Sequence, residues 1–279
     1  TLPLEGKRVL VTRTRDQASV LSEQLRRLGA VPIEFPTIRI VPPQDWTELD
    51  TALRRLYRDD EGYNWLVFTS ANGVTICCER LRALGYEPSA LRNVRVAAIG
   101  PATAATLARY GISADLVPDE YIAEGVAAAL IEDARRQDTP LVGQRILLAR
   151  AAEARKVLVT ELQRVGAQVD EVAAYYTRTV AGNDEHGRVV LEMLHQRQLD
   201  ILTFTSSSTV RNFSKWLQSS LEENAFPKLE TALAYPTLAC IGPITAQTAR
   251  ELGLRVDIEA KEFTIDGLVK AIVQYKERK

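Results

Sequence analysis

Four short motifs combine residue types that bind anions, and each follows an apolar run at the point where a helical pattern begins. Two are hydroxyl pairs, Thr69-Ser70 and Thr205-Ser206, and two are glycine–proline pairs, Gly100-Pro101 and Gly242-Pro243. Serine and threonine accept hydrogen bonds from the free N–H groups of a first helical turn, proline suits the first helical position, and glycine lets the backbone approach a ligand closely. With the helix dipole, such helix starts bind carboxylates or phosphates. One such pair is most simply a helix cap, but the set of four predicts an anion-binding site.

The residues that directly follow each proline extend this prediction. Proline has no N–H group to donate, so the first available backbone donors of these helices belong to the next residues. Two threonines also place hydroxyl groups in the same first turns. The predicted binding residues at these two helix starts are Ala102, Thr103, Ile244 and Thr245.

Two arginines end the first strand of each half of the chain, Arg13 and Arg150. A guanidinium group binds a carboxylate through two parallel hydrogen bonds, which makes both arginines candidate carboxylate clamps. The alternative is that both are solvated charges at the end of a strand. The sequence does not decide between these interpretations.

Adjacent tyrosines, Tyr175 and Tyr176, lie in the segment "VAAYYTRT", which has the composition of a strand. Core packing is the default for a tyrosine in a strand. Because successive side chains of a strand point to opposite faces, we expect one of the two to be exposed.

Three sequence blocks occur twice, in the same order. The first is "GKRVLVTRTR", which recurs as "GQRILLARAA"; the second is "WLVFTSANGV", which recurs as "ILTFTSSSTV"; the third is "AAIGPATAATLARYG", which recurs as "ACIGPITAQTARELG". A repeat of this length indicates a duplicated domain rather than a solenoid. Each copy alternates short apolar runs with helical patterns, which predicts an α/β fold with parallel sheets and helices on both faces. Ligands of such sheets bind beyond the carboxyl ends of the strands, where the four motifs lie.

Composition excludes several classes of function. The formal net charge of the 279 residues is −1, so no overall basic field favours nucleic acid. No apolar run approaches the roughly 20 residues of a membrane span, and the chain opens without a secretory leader, which predicts a cytoplasmic protein. The three cysteines do not form a disulfide framework, the two histidines form no ligand cluster, and no P-loop or GxGxxG motif is present. We therefore expect no metal and no organic cofactor.

Taken together, the blocks resemble the uroporphyrinogen-III synthase family over nearly the whole chain. The resemblance rests on "VLVTRTRDQASVLSEQLRRLGA", "FTSANGV", "GAQVDEVAAYYTRT", "FTSSSTV" and "IGPITAQTARELG". It implies two flavodoxin-like domains joined by a two-stranded β connector. One domain would be discontinuous, combining residues 1–38 with 178–279; the other would span 43–173, with 39–42 and 174–177 as the connector. It also predicts that Val9 to Thr12 pairs with strands from the last third of the chain, including Leu202 to Thr205.

The resemblance implies a lyase of porphyrin biosynthesis that closes hydroxymethylbilane to uroporphyrinogen III, inverting ring D through a spiro intermediate with loss of water. It implies no metal or cofactor, and it assigns the catalytic role to a connector tyrosine, Tyr175, or Tyr176 if the register is off by one. The hydroxyl groups of Thr69, Ser70, Thr103 and Thr245 match the family's hydroxyl positions. We expect a monomer whose one further contact is a transient one with the preceding pathway enzyme.

Two other classes share duplicated α/β domains. One is a non-catalytic two-domain protein that binds a small ligand; the missing leader counts against a periplasmic one. The other is a glycosyltransferase, for which no acidic residue is placed to bind a ribose or a metal.

Overall fold

The computed structural model describes residues 1–13, 15–224 and 228–275. The chain forms two compact units, which we treat separately. Unit 1 contains Thr1–Arg39 and Arg178–Lys279, and unit 2 contains Ile40–Thr177.

Ten strands and eleven α-helices occur in the described part of the chain, with a short 3₁₀ helix at Pro88–Ala90. The strands are β1 (Arg8–Val11), β2 (Val31–Glu34), β3 (Ile38–Val41), β4 (Trp65–Phe68), β5 (Arg95–Ala98), β6 (Arg145–Ala151), β7 (Gln168–Thr179), β8 (Ile201–Phe204), β9 (Thr237–Cys240) and β10 (Ile258–Glu259). The helices are α1 (Arg15–Arg27), α2 (Thr47–Arg55), α3 (Ala71–Ala83), α4 (Pro101–Arg109), α5 (Ala123–Arg136), α6 (Val157–Arg164), α7 (Glu185–His195), α8 (Ser207–Glu223), α9 (Leu229–Ala232), α10 (Pro243–Glu251) and α11 (Ile265–Gln274).

Unit 1 contains a five-stranded parallel sheet in the order β2-β1-β8-β9-β10. Counted within the unit, this is the order 2-1-3-4-5 of flavodoxin-like folds. Strand β1 pairs directly with β8, in the register Val9↔Ile201 and Leu10↔Leu202. The predicted pairing of the first strand with the last third of the chain is thereby confirmed.

Helices cover both faces of this sheet because alternate strand residues point to opposite sides. One face buries Leu10, Leu202 and Trp216 in a core with α7, α8 and α10. The other face buries Val9 and Val11 against α1 and α11. The predicted α/β class, with parallel strands and helices on both faces, is confirmed.

Unit 2 contains the sheet β3-β7-β6-β4-β5, in which β7, β6, β4 and β5 are parallel, and Leu116 adds an isolated parallel bridge beside β5. By the sequence repeat, β6, β4 and β5 correspond to β1, β8 and β9. Each unit therefore combines one copy of the first block with the other copy of the second and third blocks. The division between the units falls inside β3 and β7, the segments expected to form the connector.

Local details repeat as well. Gly29 and Gly166 end equivalent helices with the same φ of +89°, a conformation that glycine adopts without strain. The Arg8 N–H group donates to Asp200 Oδ2 at 2.8 Å, and the Arg145 N–H group donates to Asn64 Oδ1 at 2.8 Å.

No helix in the described ranges is both long and apolar enough to cross a membrane.

Two threonine hydroxyl groups, one on each side of the strand pair, donate hydrogen bonds that link the β1 segment to β8. Thr12 Oγ1 donates to the Thr203 carbonyl at 2.7 Å, and Thr203 Oγ1 donates to the Leu10 carbonyl at 2.6 Å, both in the buried core. We predict that Thr203→Val lowers the free energy of unfolding by about 1–2 kcal/mol, because the hydroxyl is lost with little change in shape. Urea unfolding checks this. Thr203→Ser keeps the hydroxyl and removes a buried methyl group, so it measures the packing contribution separately. A Val variant as stable as the wild type would contradict the role of this bond.

Candidate active site

Serine residues begin the helices that follow the central strands of both units. Ser70 caps α3 by accepting from the Gly73 N–H group at 3.0 Å. Ser206 caps α8 by accepting from the Thr209 N–H group at 3.2 Å, and Thr209 Oγ1 accepts from the Ser206 N–H group at 3.2 Å, which completes a capping box. The Ser206 N–H group is thus engaged within the protein. Thr69 and Thr205, which precede these serines, are half-buried at the strand ends.

Glycine precedes α4 in unit 2 and the equivalent helix α10 in unit 1, and it provides no side-chain cap for the first turn. Neither Gly100 nor Gly242 makes a side-chain cap hydrogen bond to the free N–H groups of its helix. The first hydrogen bonds within these helices run from Ala104 to the Gly100 carbonyl and from Ala246 to the Gly242 carbonyl, both at 3.0 Å. The N–H groups of the two preceding residues of each helix therefore come before the hydrogen-bonded ladder. Of those residues, the exposed pair is Ala102 and Ile244, and the buried pair is Thr103 and Thr245. This arrangement favours anion contacts through backbone N–H groups, one residue after each proline.

An aromatic ring lies against each of these glycines, a feature that the sequence analysis missed. A Cβ atom at Gly100 would lie 3.2 Å from Tyr121 Cγ, and one at Gly242 would lie 2.9 Å from Phe263 Cδ1. The rings remain 59% and 64% exposed. Tyr121 and Phe263 hold equivalent positions in "EYIAEGV" and "EFTIDGL", a weak further repeat that could have revealed them. Each unit thus offers apolar ring surface beside an open helix start.

Strand β7 contains a bulge that decides the orientation of the tyrosine pair. Ala173 lies opposite Arg150 and Tyr175 lies opposite Ala151, so Ala174 is an extra residue in the ladder. Regular alternation would point Tyr175 away from the core face that Ala174 occupies. The bulge places both of them in the same core, where Tyr175 is only 6% exposed.

The hydroxyl group of Tyr175 lies 2.8 Å from Ser70 Oγ. This contact brings the predicted catalytic tyrosine to the predicted binding residue at the start of α3, within one unit. Tyr176 is half-buried and also interacts within the protein. The hydrogen bond to Ser70 favours Tyr175 as the tyrosine of the candidate site.

The two arginines at equivalent strand ends have different surroundings. Arg13 Nε is buried and has no hydrogen-bond partner among the described residues, and burial lowers the pKa of its guanidinium group. Arg150 is 3% exposed; it forms an ion pair with Glu171 and donates to the Arg155 carbonyl at 3.0 Å. The interpretation of Arg150 as a solvated charge is wrong. Its role as a clamp for substrate stays a prediction, and it would require the guanidinium to exchange Glu171 for the ligand.

Buried thiols offer no reactive group in the described structure. Cys77, Cys78 and Cys240 are free and buried. Burial raises the pKa of Cys77 strongly, that of Cys78 to about 12 and that of Cys240 to about 11. All three are therefore protonated near neutral pH and poor nucleophiles. Among the residues that the structure describes, no group of His, Cys, Asp and Glu side chains is arranged to hold a metal ion.

Two comparisons with known proteins bear on the family of this chain. A family model described as uroporphyrinogen-III synthase HemD matches residues 19–270. A uroporphyrinogen-III synthase from Synechococcus elongatus is 37% identical over 274 residues, which cover 98% of this chain and 97% of that protein.

This chain belongs to the uroporphyrinogen-III synthase family.

Other family members resemble it less closely in sequence. The porphyrin biosynthesis protein HemD of Ruminiclostridium josui is 30% identical over 98% of this chain, which spans 49% of that protein. Two solved structures of the family share the fold. A mutant uroporphyrinogen III synthase from the extremely thermophilic bacterium Thermus thermophilus has a TM-score of 0.54 and 20% identity, covering 95% of this chain and 97% of that one. The enzyme from Helicobacter pylori has a TM-score of 0.54 and 19% identity, covering 96% and 98%.

The buried ion pair of Arg150 generates a stability prediction. Burial alone would raise the pKa of Glu171, but hydrogen bonds from Lys156 and Arg150 outweigh it and hold this pKa below its ordinary value of 4.5. Glu171→Ala leaves the Arg150 charge buried and unpaired, and we predict a loss of about 3–5 kcal/mol in the free energy of unfolding.

Urea titration at neutral pH measures this loss. The control is Glu161→Ala, which removes an exposed pair with Arg164 and should change stability by less than about 0.5 kcal/mol. Because the folded-state pKa of Glu171 is depressed, its contribution is present above 4.5 and disappears as the pH falls through the folded-state pKa. The difference between wild type and Glu171→Ala should shrink in that range. If Glu171→Ala is as stable as the wild type at neutral pH, the pair contributes nothing to stability.

Proposed function

We propose that this protein cyclises hydroxymethylbilane to uroporphyrinogen III. The observation that carries the proposal is the 37% identity, over 98% of this chain, with a named uroporphyrinogen-III synthase. A tyrosine hydroxyl at a helix start in unit 2 supports it. The proposed reaction is the one that the family name states, and it assigns work to residues that the site brings together.

Proton donation is the proposed role of Tyr175. The C–O bond of the terminal hydroxymethyl group breaks, its electron pair stays on the oxygen, and Tyr175 donates a proton so that water leaves. The pyrrole left behind is an azafulvenium cation. Ring D attacks it through its substituted carbon, and fragmentation and reclosure of the spiro intermediate invert ring D. The proton released when the last pyrrole regains aromaticity returns to the Tyr175 oxygen.

Substrate binding is the proposed role of the helix starts. Each pyrrole of the bilane carries an acetate and a propionate, so the ligand combines flat rings with many carboxylates. The N–H groups of the exposed residues Ala102 and Ile244 suit the carboxylates, and the rings of Tyr121 and Phe263 suit the pyrroles. Arg13 is a further proposed carboxylate partner because its buried Nε has no partner among the described residues.

We also propose a cellular setting for this protein. Three free and buried cysteines support a reducing compartment such as the cytoplasm. We propose a monomer that meets the preceding pathway enzyme only transiently.

Isomer analysis tests the function. The protein is incubated with hydroxymethylbilane generated in the same vessel by the enzyme that makes it, and the oxidised products are separated by chromatography. The account predicts predominantly the type III isomer. Predominantly type I product, in the same proportion as in a control that contains the substrate-generating enzyme but lacks this protein, would refute it.

Tyr175→Phe tests the role of the hydroxyl. General acid assistance is typically worth about 10²–10⁴-fold, so we predict a fall in kcat toward that range with little change in KM. The matched control is Tyr176→Phe, which removes the neighbouring hydroxyl, and we predict that its kcat stays near wild type. His186→Ala and His195→Ala should also remain close to full activity. If Tyr176→Phe shows the large loss instead, the assignment to Tyr175 is wrong by one residue.

A further inference from the structure

Ser70 makes a contact that its counterpart in unit 1 lacks. Both Ser70 and Ser206 cap a helix by accepting from the third N–H group of that helix. In unit 1 the third residue is Thr209, whose hydroxyl donates to the Ser206 carbonyl at 2.7 Å and lies 3.4 Å from Ser206 Oγ. In unit 2 the equivalent residue is Gly73, which has no side chain, and the Ser70 hydroxyl contacts Tyr175 instead.

Space at Gly73 is limited. A Cβ atom there would lie 3.1 Å from the Ala149 carbonyl oxygen and 3.3 Å from Ser70 Oγ. Glycine at this position therefore removes the capping-box partner and lets α3 approach β6 closely. The consequence is a serine hydroxyl whose remaining hydrogen-bonding capacity is directed to one tyrosine.

The partners of the pair leave two possible arrangements of its hydrogen atoms. A serine hydroxyl donates one hydrogen and accepts at two lone pairs, and one lone pair of Ser70 Oγ already accepts from Gly73. Either hydroxyl could donate across the 2.8 Å contact. If Tyr175 donates, its only hydrogen is used within the protein. If Ser70 donates, the Tyr175 hydrogen stays available for a ligand.

We propose that Ser70 is a positioning residue that donates to Tyr175 and so reserves the tyrosine hydrogen for the hydroxyl group that leaves the substrate. This rests on the proposed function, and it gives Ser70 a role other than binding a carboxylate. The bulge at Ala174 is the second requirement, because it turns Tyr175 onto the core face of α3 and β4. Ser70 acts through the tyrosine and is not itself the acid.

Three substitutions separate positioning from capping. Ser70→Thr keeps both the cap and a donor hydroxyl. Ser70→Asp keeps the cap, since aspartate is a preferred N-cap residue, but a carboxylate only accepts and would take the Tyr175 hydrogen. Ser70→Ala loses the cap and the donor. Each variant is measured for kcat, KM, isomer ratio and thermal unfolding.

The expected order of kcat depends on whether residue 70 can donate a hydrogen bond to Tyr175, and not on whether it can cap α3. Ser70→Thr should stay within about threefold of wild type. Ser70→Ala should lose about tenfold, the rate equivalent of one hydrogen bond. Ser70→Asp should fall on the order of 10²-fold, toward the kcat of Tyr175→Phe, although it should be at least as stable as Ser70→Ala. In the Tyr175→Phe background, Ser70→Ala should change kcat by less than about twofold, because the group it positions is gone.

Ser206 provides the matched control, since it caps the equivalent helix and its capping box contains no tyrosine. Ser206→Ala and Ser206→Asp should lower thermal stability or raise KM. Any factor by which they lower kcat should multiply with the factor lost in Tyr175→Phe. Only the Ser70 effect should depend on the tyrosine.

The proposal is overturned if Ser70→Asp retains the kcat of Ser70→Thr. It is equally overturned if Ser70→Ala costs the same factor in kcat with and without the Tyr175 hydroxyl; that comparison suffices should the aspartate variant fail to fold. These outcomes differ from failure of the proposed function, in which the wild-type protein itself would form no excess of the type III isomer.

Discussion

Parallel pairing between distant strands is the constraint on which both units depend. In unit 1 the central contact joins β1 to β8, and its side-chain hydrogen bonds link residues 191 and 193 positions apart. In unit 2 the corresponding contact joins β4 to β6. These strands are buried on both faces, so neither copy of the first block can bury its apolar surface without a strand from elsewhere in the chain. The pairing aligns the carboxyl ends of the strands at one edge of each sheet, which is where the serine and glycine helix starts lie.

The duplicated domains have similar sheet edges at the carboxyl ends of their strands, and a few residues make these two edges different. Unit 1 has a complete capping box at Ser206 and an arginine, Arg13, with an unpartnered buried Nε among the described residues. Unit 2 has Gly73, which leaves Ser70 to contact Tyr175, and an arginine that is bound to Glu171. The open helix starts at Gly100 and Gly242 are alike in both. Carboxylate binding is thus proposed for both units and proton donation for unit 2 alone.

Most of the fold was predictable from the sequence because its signals are local and repeated. Apolar runs, helix caps and the three duplicated blocks give strands, helices and equivalent positions without reference to tertiary structure. The pairing of β1 with β8 came from the family resemblance, since nothing local to Val9 says which distant strand it joins. The orientation of Tyr175 was beyond sequence reasoning, because a bulge at Ala174 has no composition signal and shifts the alternation of the residues that follow by one. The expectation that one of the two tyrosines is exposed is wrong, since Tyr175 is buried and Tyr176 is half-buried. The burial of Arg150 was missed for a similar reason: its partner Glu171 lies on a neighbouring strand whose register the sequence does not specify.

Transfer of the Tyr175 hydrogen to the departing hydroxyl is the step on which the proposed mechanism depends, and we propose that this step limits kcat. The ratio of kcat in H₂O to kcat in D₂O, at saturating hydroxymethylbilane and matched pL, tests it most directly when measured for wild type and Tyr175→Phe. The account predicts that wild type is slower in D₂O and that the ratio falls toward one in Tyr175→Phe, because the transferred hydrogen is no longer supplied by the protein. An isotope effect of the same size in both proteins would contradict it, since the proton would then come from another donor.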